Sequence, residues 1–249
     1  MTPGEATMRA AAAYERGLKP VTHLIDVADE QTAMRLRAAA DPAGKDRLAA
    51  GSLDDHATDR ADAVFARTVL LAERRWNPSG DLDELTAIHK GLFEGVFEDA
   101  GKLRTSNTTR EVTNDRARAA NPEAFFPAGL IETGAHNIAM ELADKRNLHA
   151  LDRDVFVHAF ASIYDELGYL HPFRGGNAMV LRIFGSRLAH DAGWDLDWGS
   201  VTREEYRSAK HSAYRGDTSA LETMFDATLR PANPTRVFLI AGWNQGPAH

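Results

Sequence analysis

The chain has 249 residues, 43% hydrophobic and 26% charged, which suits one large globular domain or a domain with a terminal appendage. A net charge of −7 excludes a nucleic-acid binder working through a broad basic face, and the absence of cysteine excludes disulfides, zinc–thiolate sites and cysteine nucleophiles. No run of about 18 apolar residues is present, and the N-terminus lacks a positive start followed by an apolar core, so the expectation is a cytoplasmic chain without a membrane partner.

In chain order, residues 1–57 read as an N-terminal extension, weakly structured or helical, with an Ala-rich run at Met8–Leu18 and a helix at Ala28–Ala40 stopped by Asp41-Pro42. A helical domain is expected over residues 58–230. Ala61, Val64, Phe65, Val69, Leu70 and Leu71 form its first apolar stripe, which Asn77-Pro78-Ser79-Gly80 ends. Asp81 is placed to cap the next helix, whose Leu82, Leu85, Ile88, Leu92, Phe93 and Val96 recur at three- and four-residue steps. His89 falls on that helix and reads as structural or exposed, with no metal partner at suitable spacing. Leu103–Val112, rich in Thr and Ser and poor in helix formers, predicts an extended ribbon.

A charged loop follows at Asp115–Asn121. Pro122 and Glu123 then suit a helix start, carrying Phe125, Phe126, Leu130, Ile131, Ile138 and Leu142 to about Lys145. Asp152 opens a helix that is apolar around most of its circumference and therefore central, ending at Leu170. Ile183, Phe184 and Leu188 anchor the next, which stops near Gly193. Trp194–Trp198 reads as a turn, Thr202–Tyr214 and Thr218–Leu229 as two helices, and residues 231–249 as a tail whose apolar part is Val237–Trp243. Tyr206 and Tyr214 fit either the core or the wall of a pocket. The class predicted is all-α with one β-hairpin.

The stretch that carries chemistry is Tyr169-Leu170-His171-Pro172-Phe173-Arg174-Gly175-Gly176-Asn177-Ala178-Met179-Val180-Leu181-Arg182. It joins two helices through a Pro, two Gly and an Asn, residues that let backbone amides turn toward a ligand. A Gly-rich turn entering a helix is an anion site, because first-turn N–H groups lack partners and the helix dipole favours negative charge. His171 stands before the turn and Arg182 after it. A base, an amide cradle and a cation are together the parts of phosphate chemistry.

This order resembles the Fic family (filamentation induced by cyclic AMP), whose motif reads His-x-Phe-x-(Asp/Glu)-Gly-Asn-Gly-Arg-x-x-Arg. His171, Phe173, Gly176, Asn177 and Arg182 match it, while Gly175, Ala178 and Met179 depart from it. Ala100-Gly101-Lys102-Leu103-Arg104-Thr105, further up the chain, resembles the segment that opens the family's flap, a hairpin beside the active site. The resemblance spans roughly Leu82–Leu229 and implies a Fic-type helical bundle in which Leu103, Arg104, Thr105 and Ser106 line a flap that pairs with an extended protein target.

The activity so implied is transfer of AMP from ATP to a hydroxyl. His171 would be the base, and Gly176 and Asn177 would hold the α-phosphate through backbone amides and the Asn177 side chain. Arg182 would balance charge on the distal phosphates, and Phe173 would fix the loop. In the family, the acidic residue at the position of Gly175 binds Mg²⁺, which neutralises the phosphates. Gly175 offers no carboxylate, so Mg²⁺ is not expected there, and Met179 removes one positive charge from the pocket. The leading expectation is a divergent Fic-type transferase with weakened AMP transfer. Two alternatives are a Fic-fold enzyme acting on a small molecule without Mg-ATP, and a non-catalytic nucleotide-binding module. The family's inhibitory (Ser/Thr)-x-x-x-Glu-(Gly/Asn) pattern is not matched at Thr58–Ala63, so self-inhibition is not expected.

Overall fold

Asp81 begins the first helix as its residue type predicts. Its carboxylate accepts from the N–H groups of Asp83 (3.0 Å) and Glu84 (3.2 Å), two of the donors that a helix start leaves unpaired. Helix α1 then runs Leu82–Phe93 and buries Leu85, Ile88, Leu92 and Phe93. The computed structural model describes residues 78–94, 97–109 and 124–232. The expected helices before Asn77, Val96, the loop at Asp115–Asn121 and the tail Val237–Trp243 lie outside them.

The second helix, α2 (Ile131–Asp144), begins later than Pro122-Glu123 suggests. Pro127 disfavours helical backbone in the residue before it, and Ala124–Phe126 are engaged in extended pairing instead. Ala124 bridges Thr109 antiparallel, Phe125 N–H donates to Thr108 O (3.0 Å), and Phe126 N–H donates to Tyr169 O (3.1 Å). Among the described residues, this bridge is what represents the expected flap ribbon.

Helix α3 (Arg153–Leu170) is the centre of the bundle, with Phe156, Phe160, Ile163, Tyr164, Leu167 and Leu170 all buried. It packs against α2, α4 (Asn177–Asp191), α5 (Arg203–Tyr214) and α6 (Ser219–Thr228). Asp152 occupies its N-cap position without a side-chain cap bond. At α5, by contrast, Thr202 and Glu205 form a full capping box. A two-stranded antiparallel sheet, β1 (Trp194–Leu196) with β2 (Leu229–Pro231), ties the end of α4 to the end of α6. Strands of three residues carry too little alternation to be read from sequence.

Helices α1 and α4 are joined by a buried ion pair. Arg187 Nε donates to Glu84 Oε1 (2.8 Å) and its Nη2 to Glu84 Oε2, while Gly80 N–H also donates to Oε2 (2.8 Å). Removing one member of such a pair leaves a buried charge uncompensated, which costs about 3–5 kcal/mol. Arg187→Ala is therefore expected to lower the unfolding free energy by about that amount, measured by urea titration.

Candidate active site

Helix α3 stops because His171 leaves helical geometry for the left-handed region (φ 44°, ψ 62°). For a residue with a side chain that conformation costs of order 1–3 kcal/mol and persists only where neighbours hold it. Arg104 does the holding. Its Nε donates to His171 O (2.7 Å), Nη1 to Ser106 O (3.0 Å), and Nη2 to Leu170 O (3.3 Å) and to Phe126 O. Its own N–H donates to Pro172 O (2.9 Å). A cation among the last carbonyls of a helix meets the negative end of the dipole. Burial holds the Arg104 guanidinium below its ordinary value, though an arginine stays charged at neutral pH.

The four expected flap residues therefore separate. Arg104, 3% exposed, lies inside, Leu103 packs on the core, and Thr105 and Ser106 face solvent. The imidazole of His171 is half-buried and lies flat on Phe125, ring centres 3.8 Å apart at 11°. Phe125 belongs to the extended segment that returns from the flap.

The loop after His171 is closed by Asn177. Its Oδ1 accepts from Phe173 N–H (3.0 Å) and its Nδ2 donates to Phe173 O (2.8 Å). The side chain expected at a phosphate is thus engaged at both ends with the loop. Gly176 has φ 73°, and a Cβ there would come within 2.3 Å of the Phe93 ring, so only glycine fits. No side chain caps α4. Phe173 is buried as expected.

His89, 1% exposed, joins this loop to the flap. Its Nδ1 accepts from Gly101 N–H (2.8 Å), so the proton sits on Nε2, which donates to Gly175 O (3.1 Å). The ring stacks on Phe173 at 3.9 Å. Its place on the apolar stripe of α1 was the signal for burial, but the partners it finds were not visible from spacing. Burial lowers its pKa from the ordinary 6.5, outweighing the Gly175 hydrogen bond and the Asp99 charge, both of which raise it.

Gly175 is not required by geometry. A Cβ there would make ordinary contact with the Phe97 ring at 3.6 Å. Asp99, from the turn before the flap, lies 3.8 Å from the exposed Arg174, so an acidic residue does stand beside the loop although none lies within it. Met179 packs partly on the core. Arg182 is 3% exposed, donates from Nε to Ala178 O (3.4 Å), and sits 5.8 Å from the centre of the Tyr206 ring. Tyr206 is itself buried and shares a hydrogen bond with Tyr164 (2.8 Å), which places it in the core. Burial first, and then Tyr206, push the Tyr164 phenol well above 10. Tyr214 is half-buried and donates to Ala124 O (2.7 Å), bracing the flap's return segment.

A sequence profile of the Fic/DOC family matches residues 79–189, the span from the α1 cap to the end of α4. The chain is 32% identical over 154 residues to a probable protein adenylyltransferase Fic of Salmonella typhimurium, covering 62% of this chain and 72% of that protein. It belongs to the Fic/DOC family.

The protein adenylyltransferase VbhT of Bartonella schoenbuchensis is 33% identical over 181 residues, which is 72% of this chain but 36% of that longer protein. In fold, the chain resembles the BepC effector of Bartonella tribocorum, solved with bound AMPPNP, at a TM-score of 0.62 and 24% identity over 72% of this chain and 89% of that one. Its mostly helical class is thus the Fic one. No helix of the described residues is long and apolar enough to cross a membrane.

His89 makes one property of this Fic domain pH-dependent. A histidine whose folded pKa lies below its unfolded value contributes fully above 6.5, and that contribution is lost as pH falls from 6.5 toward the folded value. Unfolding titrations of the native chain should show stability declining across that window, and His89→Asn should flatten the decline.

Proposed function

We propose that this Fic domain transfers AMP from a nucleotide to a hydroxyl group of a protein target, with His171 as the base. The observation that carries the reading is the junction of α3 and α4. There an imidazole held at the end of a buried helix stands beside a glycine turn that opens a helix with no side-chain cap. The names of the relatives, protein adenylyltransferases, support it.

In the step, the target hydroxyl gives its proton to His171 as its oxygen bonds to the α-phosphorus. The bond from that phosphorus to the β-phosphate oxygen breaks, and pyrophosphate leaves. Backbone N–H groups at Gly176 and Asn177 would receive the α-phosphate oxygens, helped by the positive end of α4. Arg182 would balance the distal phosphates. Leu103, Thr105 and Ser106 would border the target strand, with main-chain bonding as the means of holding it.

Mg²⁺ is the family's usual neutraliser of the phosphates, but the residues here do not fit it. Gly175 supplies no side-chain carboxylate, the group through which the family holds that ion. Transfer is therefore expected to be slow. A charge-assisted contact contributes about 1.5–3 kcal/mol, so the absence of an arginine at Met179 alone accounts for roughly ten- to hundredfold in rate.

Labelled ATP should mark the chain or an added target, with His171→Ala abolishing the label. Gly175→Glu with Met179→Arg should increase labelling at least tenfold in the presence of Mg²⁺. Labelling that persists in His171→Ala removes the base from the mechanism, and ATP binding without labelling by any variant favours the non-catalytic module. Absence of both binding and labelling favours small-molecule chemistry.

A further inference from the structure

We propose that Phe125 is a positioning residue for the catalytic base, setting the plane of the His171 imidazole from the flap side. The proposal rests on the reading of His171 as base.

The two rings lie 3.8 Å apart and only 11° from parallel. A base acts through a lone pair in the plane of its ring, and that lone pair must point at the hydroxyl from within hydrogen-bond reach. Laying the imidazole flat on a second ring restricts rotation of its plane while leaving the ring edge, with both nitrogens, uncovered by that contact. The backbone of His171 is already fixed by Arg104 on its carbonyl. The stack with Phe125 adds a constraint on the side chain.

Phe125 is itself anchored. Its N–H donates to Thr108 O (3.0 Å), closing the flap, and the neighbouring Phe126 N–H donates to Tyr169 O (3.1 Å) on the last turn of α3. Tyr214 donates to Ala124 O (2.7 Å) from α5. The returning arm of the flap is thus pinned on three successive residues, and the ring in the middle lies on the base. The two sides of the flap meet His171 at different points: Arg104, from the outgoing side, takes its backbone, and Phe125, from the returning side, takes its ring. A target strand seated on the flap would therefore be held by the same segment that aims the imidazole. An aromatic side chain suits this position because the negative face of its π-system favours the imidazolium that forms when the proton arrives.

The test separates the stack from the reaction. In the full chain carrying ¹⁵N- and ¹³C-labelled histidine, the His171 ring protons are assigned by comparison with His171→Asn. They should be displaced upfield by the Phe125 ring current. The displacement should persist in Phe125→Tyr and vanish in Phe125→Leu, with the thermal midpoints of both variants checked against the native chain. In AMP transfer, Phe125→Leu should lower kcat by roughly three- to tenfold with the KM for ATP unchanged, and Phe125→Tyr should restore it.

A His171 ring signal that is indifferent to Phe125→Leu overturns the proposal, as does equal loss of kcat in the Leu and Tyr variants. If the native chain transfers no AMP, the reading of the activity fails, and the ring-current result alone decides whether Phe125 sets the imidazole.

Discussion

The site depends on the Arg104 guanidinium. It stands among four carbonyl oxygens, two from the end of α3, one from its own segment at Ser106 and one from the flap's return. Desolvating an arginine is unfavourable, and these acceptors, together with the negative end of the α3 dipole, offset that cost. In doing so they keep His171 in a left-handed conformation that it would not adopt alone and seat the flap against it. Without this cation, the end of α3 and the flap have no shared anchor of comparable strength among the described contacts.

A second tie lies on the other side of the loop. The neutral His89 accepts from the start of the flap and donates to Gly175 O, while stacking on Phe173. Loop and flap are thus joined through a charged side chain on the His171 carbonyl and through a neutral one near the glycines. Because both connectors are buried, their bonds face little competition from water.

The motif positions divide by what they do. Phe173, Gly176 and Asn177 give the turn its shape, through core packing, a backbone angle and close approach that exclude any side chain, and a reciprocal amide pair. Geometry at Gly175, by contrast, has room for a side chain.

Local pattern in the sequence settled the elements whose cause is local. The Asp81 cap, the apolar period of α1 and α3, the turn before α4 and the helices after Thr202 all follow from residues within one or two turns of one another. The sequence also placed His171 at the end of a buried helix and Phe173 in the core. Tertiary structure decided what depends on distant partners. Phe125 and Phe126 left the helix expected for them because Thr108 and Tyr169 offered extended pairing next to Pro127. Arg104 turned inward because the end of α3 supplied unpaired carbonyls, Asn177 closed on Phe173, and β1 found β2. Each of these bonds joins groups brought together only when the helices pack, and no periodicity along the chain encodes which acceptor a buried donor will meet.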